Sequence, residues 1–329
     1  MVARKKCIVV LATGGTIAGV GETGKDSGYV SGVVSAEDLV RSVPELAEYA
    51  EIRSEQVCNV NSDDMTDALW IKLARRIAEL EEDDSVDGIV VTHGTDTMDE
   101  TAYFVSLTVR GEKAVVFTGS MKPSTAKNPD GPKNLLGAVQ AAAGFAIEDD
   151  PLENLVWVYF AGSLYDARNV QKCSASAINA MGVDFCGDTA GDSANVSHLH
   201  KNAGKSSSLR ENFFDIAGLN SLPQVNVVYF NVDANPKVLK YAACVSEGLV
   251  IAGAGSGEFS LPWAEALKEI DIPVVIASRT HHGVVTLNER LAGGCICAGS
   301  LPPQKAAVLL RLALTVTQKK AAIQKFFDC

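Results

Sequence analysis

The sequence predicts an α/β fold of two domains, a larger N-terminal one with a mostly parallel sheet flanked by helices and a smaller C-terminal parallel-sheet one. Three observations carry that expectation. Short β-branched apolar runs alternate with amphipathic stretches, the pattern of strands joined by crossover helices. At 329 residues the chain exceeds what one hydrophobic core usually covers. From about Cys186 to Glu211 the composition turns to Gly, Ser, Asp, Asn, His and Lys, and no period survives. Residues 1–190 are therefore read as the first domain, 191–221 as a linker and 222–329 as the second.

The expected elements follow in order. Cys7–Thr13 reads as the first core strand, with further strands at Gly88–His93, Ala114–Gly119 and Asn154–Ala161. Between the first two, Leu69, Leu73, Ile77 and Leu80 fall on one helical stripe, with Asp64 or Thr66 placed to cap it. Beyond the linker come Val225–Phe230, Gly248–Ala254 and Pro273–Ser278, then an apolar helix over about Gln304–Thr315 behind Pro302 and Pro303. No internal repeat is visible.

Composition removes several classes of function. A net charge of −11 argues against nucleic acid or an anionic membrane as partner. No apolar run approaches the roughly 18 residues of a membrane-spanning helix. Met1–Lys6 is basic, but the apolar run after it is short and passes into glycines without a small-residue cleavage site, so the cytoplasm is expected. The eight cysteines form no CxxC pair, and disulfides are not expected. No histidine cluster joins Cys295 and Cys297 to complete a ligand set, and adjacent His281 and His282 do not readily share one ion. Neither metal nor cofactor is expected.

Two segments place hydroxyls at the carboxyl ends of strands, where open α/β sheets bind ligands. The first is Thr13-Gly14-Gly15-Thr16-Ile17-Ala18-Gly19, a glycine turn that lacks the spacing of either nucleotide-binding loop. The second is His93-Gly94-Thr95-Asp96-Thr97-Met98-Asp99-Glu100, where Thr95 and Asp96 could equally cap the following helix. His93 itself reads as structural.

Taken together, these segments resemble the signature regions of the L-asparaginase family, both the bacterial-type asparaginases and the glutaminase-asparaginases. The likeness extends over essentially the whole chain, through Cys58-Asn59-Val60-Asn61-Ser62-Asp63-Asp64-Met65, Thr92–Val109, Met121-Lys122-Pro123-Ser124-Thr125, Asp130-Gly131-Pro132 and Pro303-Gln304-Lys305-Ala306. What the resemblance implies is a cofactor-free threonine amidohydrolase that cleaves L-asparagine, with secondary glutamine hydrolysis. Thr16 makes the first acyl transfer and Tyr29, on the Gly21–Gly32 loop, activates it. Such help is needed, because a threonine hydroxyl is a poor nucleophile at neutral pH.

By the same resemblance Thr95, Lys172 and Asp96 form a second constellation, in which Thr95 and Lys172 either activate water or polarise the oxyanion. Ser62 would bind the substrate carboxylate, and Asp63, Asp96 and a partner subunit's carboxylate its ammonium. Asp63 stands where the family usually has glutamine or glutamate, one methylene longer. Glu289 is the candidate for the partner's carboxylate, although the spacing around it is contracted. Ser256 falls where strict asparaginases tend to carry asparagine, which leaves room for glutamine. The assembly implied is a homotetramer built as a dimer of dimers. Rival readings are the ammonia-producing subunit of a tRNA-dependent amidotransferase and a non-catalytic amino-acid sensor.

Overall fold

The computed structural model describes residues 4–25, 28, 30–145, 156–183, 212–281 and 283–328. These divide into two compact units, one running to Val183 together with Asp215–Gly218, the other from Leu219 onward together with 212–214. The expected Cys186–Glu211 stretch lies outside the described residues, as does Tyr29.

In the N-terminal unit all eight residues of β1 (Cys7–Gly14) are buried, as a central strand covered by helices on both faces must be. Then follow α1 (Ala36–Arg41), α2 (Leu46–Tyr49), β2 (Glu51–Val60), α3 (Asp67–Glu81), β3 (Gly88–Thr92) and α4 (Met98–Thr108). After these come β4 (Ala114–Thr118), α5 (Gly131–Ala142), β5 (Val156–Phe160), β6 (Ser163–Asp166) and the short pair β7 (Gln171–Lys172) and β8 (Met181–Gly182). The sheet order is β2-β1-β3-β4-β5-β6, with every neighbouring pair parallel except β5 and β6. One core lies between this sheet and α1, α2 and α5, and includes Ile8, Val10, Val90, Leu135, Ala138 and Val139.

Of the predicted stripe of α3, Leu73, Ile77 and Leu80 are buried and Leu69 is half-buried, while Trp70, Ile71 and Ala74 join the buried face. Of the two candidate caps the structure uses Thr66, whose side chain accepts the Leu69 N–H. Trp70 stacks on Phe104 of α4 at 5.1 Å and donates to the Thr101 hydroxyl at 2.8 Å. The capping alternative for Thr95 and Asp96 is not realised: α4 begins at Met98, one residue past Thr97.

Several expected strands are trimmed, with His93, Gly119, Phe230 and Ala254 falling in the turns that follow and Pro273 ahead of its strand. The sequence reading missed β2 because Glu51, Arg53 and Glu55 interrupt any apolar run. β2 is the edge of the sheet, where charged residues guard an otherwise unpaired rim. There Glu55 meets Arg76 of α3 at 2.7 Å.

The C-terminal unit contains β9 (Val225–Tyr229), α6 (Lys237–Cys244), β10 (Gly248–Gly253), α7 (Leu261–Leu267), β11 (Val274–Ser278) and α8 (Glu289–Ala292). It closes with β12 (Ile296–Cys297), α9 (Pro303–Val316) and α10 (Lys320–Phe327). Its sheet, ordered β12-β11-β10-β9, is parallel throughout. Trp263, Leu249, Ile251 and Ile276 centre a core on one face, and α9 packs its buried Leu309, Leu310 and Leu314 within the same unit. Among the described residues no helix is long and apolar enough to cross a membrane, and no three His, Cys, Asp or Glu side chains group as metal ligands do.

Candidate active site

The site is built where β1, β2 and β3 end together. Parallel register sets Ala12 beside Thr92 and Gly14 beside Val60. The Thr13 hydroxyl donates to the Thr92 carbonyl at 3.0 Å, and the Gly15 N–H to the Val60 carbonyl at 3.0 Å. The strand ends are thereby stitched before either turn begins.

Gly15 then has a φ of +77° and lies against the backbone of the second turn. A Cβ there would sit 2.4 Å from the Gly94 nitrogen and 2.5 Å from its Cα, so only glycine admits this approach. Gly94 is packed equally tightly on Ser62, whose Oγ would be 2.7 Å from an added Cβ. Three segments remote in sequence, ending in Thr16, Ser62 and Thr95, are thus in direct contact. Thr97 adds a tie, its hydroxyl donating to the Ser62 carbonyl at 2.6 Å.

Each predicted residue except Tyr29, which lies outside the described residues, has a defined place. Thr16 opens a single 3₁₀ turn, Thr16–Ala18, and is partly exposed. Thr95 and Ser62 are buried, 4% and 6% exposed. Lys172, on β7, donates to the Thr95 hydroxyl at 2.8 Å and to the Asp96 carboxylate at 2.5 Å. Its side chain is 16% exposed against 65% for that of Asp96, so the lysine reaches inward while the carboxylate faces water. Asp63 is exposed in the 3₁₀ turn Ser62–Asp64. In the C-terminal unit, Ser256 is exposed in the turn after β10, and Glu289 is exposed at the first position of α8.

The hydrogen-bond directions around Thr95 limit its chemistry. Its oxygen receives the lysine ammonium, and its own proton points to the Met121 sulfur at 3.6 Å. Thioether sulfur is a weak acceptor, so that proton is easily turned toward a better one. A hydroxyl polarised by an adjacent ammonium is a strong donor, and carboxylate contact keeps the ammonium oriented.

His93 is structural by its surroundings. Fully buried, it holds the Gly94 carbonyl through Nδ1 at 2.8 Å, its backbone N–H donates to Thr118 O at 2.8 Å, and among the described residues Nε2 has no hydrogen-bond partner. Burial pulls its pKa down to about 4, against the opposing pull of the Gly94 carbonyl, so the ring is neutral near pH 7.

Two family models cover nearly the whole chain, "Asparaginase, N-terminal" over residues 7–202 and "Glutaminase/Asparaginase C-terminal domain" over residues 224–327. The chain belongs to the asparaginase/glutaminase family. Among curated members, "L-asparaginase 2" of Escherichia coli and "Probable L-asparaginase periplasmic" of Haemophilus influenzae are each 37% identical, over 98% of this chain and 92% of theirs. "Glutaminase-asparaginase" of Pseudomonas fluorescens is 34% identical, over 97% of this chain and 89% of its own. The crystal structure of "Probable Cytoplasmic L-asparaginase" from Campylobacter jejuni superposes with a TM-score of 0.85 at 36% identity, covering 98% and 99% of the two chains. Family membership makes the chemistry amide hydrolysis of the asparaginase and glutaminase type.

Within that family fold, sequence reasoning gave no role to Met121, Asp130 or Gly94. Gly94 was visible only as part of a motif. Met121 and Asp130 likewise stand within motifs of the resemblance, and nothing local marks a sulfur that will face Thr95 or a carboxylate that will hold a turn nine positions back.

Proposed function

We propose that this enzyme hydrolyses L-asparagine to L-aspartate and ammonia through an acyl-enzyme on Thr16, with slower hydrolysis of L-glutamine. The reading is carried by the backbone contact of Gly15 with Gly94, which sets two hydroxyl-bearing turns side by side at the ends of β1 and β3. Thr16 Oγ attacks the side-chain amide carbon and its proton leaves with ammonia. Water then cleaves the ester, returning the proton to Thr16 and releasing aspartate. Thr95, polarised by Lys172, donates to the developing oxyanion; a donor of this kind supplies about 2.7–4 kcal/mol to the transition state.

Ser62 is assigned to the substrate carboxylate, and Asp63 and Asp96 to its ammonium. Tyr29 is assigned to activation of Thr16, which rests on the family resemblance alone. Ser256 is assigned to substrate range, and Glu289 to the site of a partner subunit in a dimer-of-dimers tetramer. Light scattering checks the assembly. A cytoplasmic location belongs to the same reading; the relatives include proteins named periplasmic and cytoplasmic, so cell fractionation decides it.

The deciding assay is ammonia release from L-asparagine and L-glutamine by the native chain and by Thr16→Ala. The variant is expected to keep its circular dichroism spectrum and to lose most turnover. Near-parental release by Thr16→Ala would remove Thr16 from the nucleophile's role.

A further inference from the structure

Between Thr118, at the end of β4, and Gly131, at the start of α5, runs a connector that touches both threonine turns. Asp130, only 9% exposed, holds it from behind. One carboxylate oxygen accepts the Met121 N–H at 2.8 Å and the other accepts the Lys122 N–H at 2.9 Å. Asn134, one helical turn further on, donates to the same carboxylate at 3.3 Å and to the Gly119 carbonyl at 2.9 Å. The Asn134 amide oxygen accepts the Ala161 N–H at 3.0 Å, and the Ser120 hydroxyl donates to the Lys122 carbonyl at 2.8 Å. Residues 119–122 are therefore fixed by buried partners.

Two sets of contacts leave the connector, one from this fixed stretch and one from the two residues Ser124 and Thr125 just beyond it. Met121 presents its sulfur to the Thr95 hydroxyl. Ser124 donates to the Gly19 carbonyl from its N–H at 3.1 Å and from its hydroxyl at 2.7 Å. Thr125 accepts the Gly21 N–H on its hydroxyl at 3.0 Å and the Gly24 N–H on its carbonyl at 2.8 Å. Gly19 in turn closes the Thr16 turn, donating to the Thr16 carbonyl at 2.8 Å. One connector thus meets Thr95 through Met121 and the segment after Thr16 through Ser124 and Thr125.

We infer that Asp130 is a positioning residue for both threonines, acting through the backbone of Met121 and Lys122. The inference rests on the reading of Thr16 and Thr95 as reacting groups. A carboxylate suits the place because three donors converge on its two oxygens. Asparagine would offer one oxygen and turn an NH₂ group against a backbone N–H.

Native enzyme, Asp130→Asn and Thr125→Val are compared for ammonia release from L-asparagine, with thermal midpoints measured in parallel. Asp130→Asn is expected to lower kcat about tenfold and to raise KM, since a charge-assisted anchor of both turns is relaxed. Thr125→Val removes only the Gly21 contact, and is expected to raise KM about threefold with a smaller effect on kcat. Asp130→Asn with native kcat and KM overturns the inference, and so does a change confined to the thermal midpoint. If Asp130→Asn fails to fold, Thr125→Val decides, an unchanged KM counting against. A native chain that releases no ammonia sinks the reading of the site and the inference with it. A working native chain indifferent to Asp130 sinks the inference alone.

Discussion

In the N-terminal unit two strand-end hydroxyls are withdrawn from water, Thr95 against Lys172 and Ser62 against Gly94, while Thr16 is partly exposed. In the C-terminal unit Ser256, in the turn after β10, and Glu289, at the start of α8, stand exposed. Both units use parallel strands and place polar residues in the turns that follow them, so topology alone does not separate them. What separates them is whether the donors are already oriented. A hydroxyl fixed in a buried network meets developing charge without reorganisation, whereas an exposed side chain must be ordered by whatever covers it. On the proposed reading, the prearranged part of the chemistry belongs to the N-terminal unit, and the exposed Ser256 of the C-terminal unit is assigned to substrate range.

The comparison breaks most visibly at Lys172. Lys172→Met removes the ammonium that polarises Thr95 and is expected to lower kcat by about two to three orders of magnitude, the usual loss for one oxyanion-site donor. Steady-state ammonia release measures it. A loss below about tenfold would place Lys172 outside the reacting network, since that is no more than an ordinary hydrogen bond supplies.

A second test concerns stability. His93 is neutral in the folded chain down to about pH 4, whereas unfolding frees it to take up a proton below its ordinary 6.5. The unfolded state therefore binds the extra proton in that window, and stability falls as pH drops from 6.5 toward 4. The loss is on the order of 3 kcal/mol, levelling off below the folded pKa. Urea unfolding at successive pH values should show the slope, and His93→Asn, which keeps a donor near the Gly94 carbonyl, should flatten it. An equal slope in both proteins would refute the assignment.

The smallest effect is expected in the C-terminal unit. Ser256→Asn should shift the ratio of kcat/KM for asparagine over glutamine upward by about 1–3 kcal/mol, leaving asparagine turnover within a few-fold of native. If kcat for asparagine instead collapsed, the division between prearranged chemistry and exposed selection would not hold.

The buried parallel strands were legible because continuous β-branched runs have few other uses, and α3 because its apolar spacing matches the helical turn. The glycine-threonine turns were legible as motifs. By contrast β2 carries alternating charge that suits an edge, and β6 is antiparallel, so neither announces itself by composition. Thr66 prevailed over Asp64 as cap through local geometry at the scale of one residue. Lys172, unaligned, would read as a surface lysine. Only the β7 hairpin brings it to Thr95, 77 positions away.

By itself the sequence determined that two α/β domains form, and which residues could carry a hydroxyl, a carboxylate or an ammonium at a strand end. Those properties follow from side-chain chemistry and periodicity, which are local. Only the tertiary structure decided that Gly15 rests on Gly94, that Lys172 donates to Thr95, and that Asp130 holds the connector between the two turns. Each depends on parallel register and on packing between segments far apart in the chain. Such contacts are selected by the free energy of the assembled fold, and no local window encodes them.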